Sequence, residues 1–144
     1  MSQWTHVCGC VRIDSIDHDE VNEGIERVFG KIATWDSPID VWEEYDEHPE
    51  LYTPTGREGG VQYDVWENPY ENHMASHTVS IWGDLRDYSS VEKIAKWFNK
   101  ILYDSDLLIR DAVLSIDVEY QQKVVLVYDD DAEQCIVCTK EETK

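Results

Sequence analysis

Four segments of this sequence alternate apolar and polar residues with a period of two, and two segments among them carry apolar residues at helical spacing. That order of periods constrains the fold more than any other feature. From Trp4 to Asp14, Val7, Val11 and Ile13 fall on one side and Trp4, His6, Cys8, Cys10 and Arg12 on the other, as in a strand. Val21, Ile25, Val28 and Ile32 follow at i, i+4, i+7 and i+11 behind the capping candidate Asp17, which predicts a helix that Gly24 weakens. Val61 to Trp66 alternates again until Asn68-Pro69 breaks it. His77 to Leu85 forms a third strand. Ser89 or Ser90 then caps a second helix with the stripe Val91, Ile94, Ala95, Phe98 and Leu102. Residues 112–120 alternate, and the Val-Val-Leu-Val run inside Lys123 to Tyr128 predicts a strand covered on both faces or lying against the tail.

The resulting order, β-α-β-β-α-β-β, predicts one α+β domain over 1–144, a ferredoxin-like split βαββαβ with an additional C-terminal strand. Both helices would cover one sheet face, over a core of Val7, Val11, Ile13, Val61, Tyr63, Val65, Val79, Ile81, Leu114, Ile116 and Val118. The other face would show His6, Cys8, Cys10, Arg12, Asp64, Trp66, Ser80, Trp82, Asp117 and Glu119. An open face with two tryptophans is a binding or oligomerisation surface unless a loop or the tail folds over it. Residues 34–60 hold Pro38, Pro49, Pro54 and a glycine cluster without a sustained period, and read as a long acidic insertion loop with one helical turn around Val41 to Tyr45. Residues 129–144 read as a frayed tail.

Charge decides between classes of partner. With 31 acids against 12 Lys and Arg, the net charge of -19 excludes ordinary binding to DNA, RNA or an anionic membrane, which requires cations to displace counterions from phosphate. Nothing near the N-terminus resembles a signal peptide and no apolar run approaches the roughly 18 residues of a membrane span, so a cytoplasmic location with reduced cysteines is expected.

No phosphate loop, dinucleotide fingerprint, nucleophile elbow or H-E-x-x-H motif occurs, and neither a catalytic residue nor a cofactor is assigned. Cys8-x-Cys10 and Cys135-x2-Cys138 could supply four thiolates to a metal. The first pair, however, sits inside a strand and cannot make the usual tight knuckle, so no metal site is assigned there or at His73 and His77. The Gly56–Gly60 stretch with Arg57 carries Glu58 inside it, and reads as a turn launching a strand rather than a phosphate cradle.

Between Asp14 and Glu50, thirteen acids face two bases, Arg27 and Lys31, a local charge of -11. Within this segment Asp36, Asp40, Glu43, Glu44, Asp46, Glu47 and Glu50 interleave with Trp35, Trp42 and Tyr45. A charge run is usually a solvated face. Exposed aromatics among the acids reduce solubility and call for another reason: the carboxylates can imitate a nucleic-acid backbone while the aromatics anchor to a basic cleft. These ten residues are the candidate partner-binding site.

Gln3-Trp4-Thr5-His6-Val7, Trp66-Glu67-Asn68-Pro69, the turn Thr55-Gly56-Arg57-Glu58-Gly59 and the run from Thr78 to Tyr88 resemble small, mostly uncharacterised proteins encoded by phages and prophages of Gram-positive bacteria. The resemblance implies a phage origin and an anti-defence activity, anti-CRISPR-like or anti-restriction, in the host cytoplasm; joined to the acidic segment, it points to an inhibitor of a basic nucleic-acid-handling protein such as a CRISPR effector or another nuclease. Two alternatives stand beside it. One is a phage structural or assembly protein that self-associates through sheet edges or the open Trp66 and Trp82 face, beyond the homodimer that is also open to the inhibitor; the other is a sponge for host signalling nucleotides held by Arg12, Arg57 and Arg86.

Overall fold

The computed structural model describes residues 2–14, 18–67, 75–88, 90–121 and 123–139. In chain order its elements are β1 (Trp4–Asp14), α1 (His18–Phe29), α2 (Ile39–Glu47), a single 3-10 turn (Pro49–Leu51), β2 (Val61–Glu67), β3 (Ala75–Arg86), α3 (Val91–Tyr103), β4 (Leu108–Val118), β5 (Val124–Val127) and β6 (Ile136–Thr139). The architecture is α+β: among the described residues, three helices accompany a six-stranded sheet of order β2-β3-β1-β4-β5-β6. Every neighbouring pair in it is antiparallel.

β1 lies at the centre because its alternation is long enough to pair along both edges. Cys8 stands opposite Trp82 of β3 and Ser115 of β4. The period of two sends Val7, Val11 and Ile13 into the same layer as Val79, Ile81 and Leu85 from β3 and Leu114 and Ile116 from β4. Ile25 and Phe29 of α1 and Ile94, Phe98, Ile101 and Leu102 of α3 close that layer, so both helices cover one sheet face. Phe29 and Phe98 are fully enclosed, and burial of each such side chain contributes roughly 1.5–3 kcal/mol. Gly9 is required here: a Cβ at that position would stand 2.1 Å from the Val113 carbonyl oxygen. Gly30 ends α1 at φ 104°, donating its N–H to the Glu26 carbonyl at 3.1 Å, in the left-handed conformation that glycine adopts without a Cβ penalty.

Several boundaries differ from the sequence reading. Residues 34–60 are not a loop throughout, since α2 and the 3-10 turn occupy 39–51. Pro38 and Pro49 bracket this short helix, and its inward side consists of Val41, Trp42, Glu44 and Tyr45 instead of an aliphatic stripe, so no helical period stands out. The tail is not frayed over 136–139. There Ile136, Val137 and Thr139 suit an extended backbone and add β6 to the free edge of β5, giving two strands beyond β4 where one is expected. α1 stops before Ile32, and β4 stops before Tyr120, which is exposed at φ 67° and takes no part in the core. Ser90 occupies the N-cap of α3 without a side-chain hydrogen bond. Asp17, Ser89, Asn68-Pro69, His73 and 140–144 lie outside the described residues. No helix among the described residues is long and apolar enough to cross a membrane.

Candidate partner-binding site

α2 and its flanks carry all ten candidate residues, but they divide into two groups. Glu44 and Tyr45 face inward. The Glu44 carboxylate accepts hydrogen bonds from the Lys31 ammonium at 2.6 Å and the Tyr52 hydroxyl at 2.8 Å, and these two donors hold it below its usual range. Tyr52 is buried beneath α2, and burial together with the Glu44 carboxylate pushes its phenol up to about 12. Trp42, Tyr45 and Tyr52 form a chain of edge-on rings, with centroids 5.7 and 5.6 Å apart, and the Tyr45 hydroxyl donates to the Thr55 carbonyl at 3.3 Å. This aromatic chain and the Lys31 pair fasten a helix that has no fully buried residue.

Asp40, Glu43, Asp46 and Glu47 face outward, and none of them makes an ion pair among the described residues. At about 1.5 Å of rise per residue they span about 10.5 Å of helix axis. The steps along the axis are uneven, about 4.5, 4.5 and 1.5 Å, against the even ~3.4 Å per phosphate along one DNA strand. Asp36 and Glu50 lie at the two ends of this row. Asp36 accepts a hydrogen bond from the Thr34 hydroxyl at 2.5 Å, and the Glu50 carboxyl is lowered by its own backbone N–H and by His48 at 3.1 Å. Trp35 is 92% exposed and Ile39 77% exposed, so two large apolar side chains stand in water beside the acids. Trp42 is half-buried against Tyr45 and contributes to the helix's seat more than to its outer surface.

Compared with protein-family models, curated proteins and solved structures, this chain matches none.

Two further groupings accompany the acidic helix. On the sheet face away from the helices, the His6 ring is bracketed by Asp84, 2.5 Å from Nδ1, and Glu119, 3.0 Å from Nε2. The hydrogen bond to Asp84, then that to Glu119, raises the imidazole above its ordinary value of 6.5. Glu119 is lowered by His6 and by the Trp4 N–H, which donates to it at 2.9 Å. This face carries Trp66 and Trp82, 56% and 44% exposed, and the described part of segment 34–60 does not cover it, because Tyr52 and Thr53 tie that segment to the end of α1 and the start of β2.

On the helix side, a groove of about 800 Å³ runs between α3 and the α1 C-terminus with the Tyr45–Thr55 segment, and Lys93, Lys96 and Lys100 line its α3 wall. Sequence reasoning missed this basic row. Its i, i+3, i+7 spacing, opposite the apolar stripe of α3, was the available signal; the tyrosines across the groove come from distant segments and left none.

The cysteines do not converge. Cys8 and Cys10 lie on the open face of β1, Cys138 lies in β6 beyond β4 and β5, and Cys135 is buried in the core, where burial pushes its thiol up to about 11. Among the described residues, the group close enough to share a metal ion is Asp129, Asp130 and Asp131, an acidic turn. Arg12, Arg57 and Arg86 do not converge either. Arg86 pairs with Glu58 at 3.0 Å at the Trp4 end of β1, whereas Arg12 stands eight residues along that strand, about 26 Å away. The Gly56–Gly60 turn launches β2, closing through the Gly56 N–H to Gly59 carbonyl bond at 3.0 Å.

Proposed function

We propose that this chain is a non-enzymatic binding protein that presents α2 to the nucleic-acid cleft of a basic protein and occludes it by charge mimicry. The carrying observation is the outward row Asp40, Glu43, Asp46 and Glu47, unneutralised by any described cation and flanked by exposed Trp35 and Ile39. Carboxylates held on the outer side of one helix steer a basic partner, and the apolar pair supplies desolvated anchoring area. With the sequence resemblance, this reading makes the chain a phage-encoded inhibitor of a host defence nuclease. The scaffold is read as a ferredoxin-like split βαββαβ with β5 and β6 appended, a reading supported by the order β2-β3-β1-β4 with α1 and α3 as crossovers.

The test uses whichever protein co-purifies with the tagged chain from a bacterial host lysate. Its affinity should fall steeply with salt, and Asp40→Lys with Glu43→Lys and Glu47→Lys should abolish binding while the fold survives. Binding that is insensitive to both changes overturns the reading.

A second reading is favoured by a different observation, the exposed Trp66, Trp82 and Val113 on the open sheet face: self-association in an assembly. Light scattering decides it, since a monodisperse monomer or dimer with no higher assembly at high concentration removes this reading.

A further inference from the structure

Among the described residues, four cations are paired with acids: Arg27 with Asp106, Lys31 with Glu44, Arg86 with Glu58 and Arg110 with Asp14. Lys93, Lys96 and Lys100 are not, although the chain has 31 acids to offer and the three stand on one side of α3. That side forms a wall of the groove of about 800 Å³, a volume within the ~300–1,000 Å³ of small-molecule sites. The opposite wall carries two aromatic rings among Pro49, Glu50, Thr53 and Thr55. Tyr45 and Tyr52 line it, and Tyr88 stands just before the start of α3, at the Lys93 end of the groove. Three acids line the groove as well: Glu50 on the tyrosine side, engaged by His48 at 3.1 Å, and Asp104 and Asp106 at the other end, beyond Lys100, with Asp106 engaged by Arg27 at 3.5 Å. A row of free ammonium groups facing flat rings across a cleft is matched by a ligand with clustered negative charge and a planar ring.

We infer that this groove is a nucleotide site, with the phosphates on the Lys93 and Lys96 ammonium groups and the base against the Tyr45 and Tyr88 rings. The overall charge of -19 does not forbid it, because the Debye length at physiological salt is about 8 Å and the ligand meets the local lysine row. This inference goes beyond the acidic-face reading and does not rest on it: the ligand is small, and α2 contributes only Tyr45 at its inner edge.

Isothermal titration of the full chain with ADP, GDP, adenosine and pyrophosphate tests it. Saturable binding of at least one nucleoside diphosphate is expected, with adenosine and pyrophosphate each at least about tenfold weaker, since each keeps only half of the contacts. Lys93→Gln with Lys96→Gln, exposed changes that leave the fold intact by circular dichroism, should weaken the diphosphate by about tenfold or more, the loss of a hydrogen bond to a charged group. The same pair should leave adenosine unchanged. Asp40→Asn with Glu43→Gln, which alters only the outward face of α2, should leave nucleotide binding as it was. Absence of saturable binding at millimolar ADP and GDP overturns the inference. So does binding that the lysine pair does not weaken, or equal affinity for pyrophosphate alone.

Discussion

His6 is the residue whose surroundings make the clearest demand on pH. It gains two carboxylate partners on folding, so its folded value lies above the ordinary 6.5. A group raised in this way contributes stability fully below its unfolded value, and the contribution is lost as pH rises through the folded value. Glu119, which is lowered, behaves oppositely and loses its share only as pH falls through its own depressed value. The couple is therefore strongest between those two limits. His6→Gln should lower the melting temperature at about pH 5.5 and have little effect at about pH 9; an equal loss at both would mean that the ring acts by packing instead of by charge. Gly9 makes a steric demand of the same locality. Gly9→Ala places a methyl 2.1 Å from the Val113 carbonyl oxygen and must push β1 away from β4, with an expected loss of about 2–3 kcal/mol in urea unfolding. A loss under about 0.5 kcal/mol, typical of surface substitutions, would show that the two strands separate freely.

Among the elements, α2 and β1 are opposites. β1 is held along both edges and its apolar side is buried, whereas α2 has no fully buried residue and no side-chain cap, and depends on Lys31, Tyr52 and a chain of aromatic rings. Opening of α2 should be local and of low free energy. Tyr52→Phe removes the hydroxyl that ties Glu44, and it should speed amide hydrogen exchange over 39–47 while exchange in β1, β3 and β4 keeps its wild-type rate. Equal acceleration everywhere would mean that α2 is part of the global cooperative unit. The same contrast explains what could be read from the sequence. The strands and α3 announce themselves because burial on one face imposes a period on Val7, Val11 and Ile13 or on Ile94, Phe98 and Leu102. α2 left no such mark, because its inner side is made of Glu44 and Tyr45, whose partners Lys31, Tyr52 and Thr55 are supplied by the tertiary fold. The outward acids of the candidate site were legible as composition; that four of them form one row, and that Glu44 is withdrawn from it, depends on a helix whose period is not aliphatic. β6 is short and exposed and became a strand only through the free edge of β5.

At the scale of the whole molecule, a charge of -19 is a repulsive load that packing must overcome. Over half of it lies between Asp14 and Glu50, on α2, its flanks and the stretch before them, and α2 is a helix without a fully buried residue. Two consequences of salt should then have opposite signs. Raising ionic strength from about 0.01 M to about 0.1 M shortens the Debye length from about 30 Å to about 10 Å, which screens repulsion between exposed acids more than the close Lys31–Glu44 pair at 2.6 Å. The free protein should therefore melt a few degrees higher. A complex made through the row Asp40, Glu43, Asp46 and Glu47 loses long-range attraction over the same range, so its association rate should drop while its dissociation rate changes little. Converting Asp40→Asn, Glu43→Gln and Glu47→Gln should reduce both effects together, flattening the salt dependence of the melting temperature and that of association. The two measurements are independent. A protein destabilised by salt, or a triple variant whose association keeps the full wild-type salt dependence, would separate the charge of this chain from the surface assigned to it.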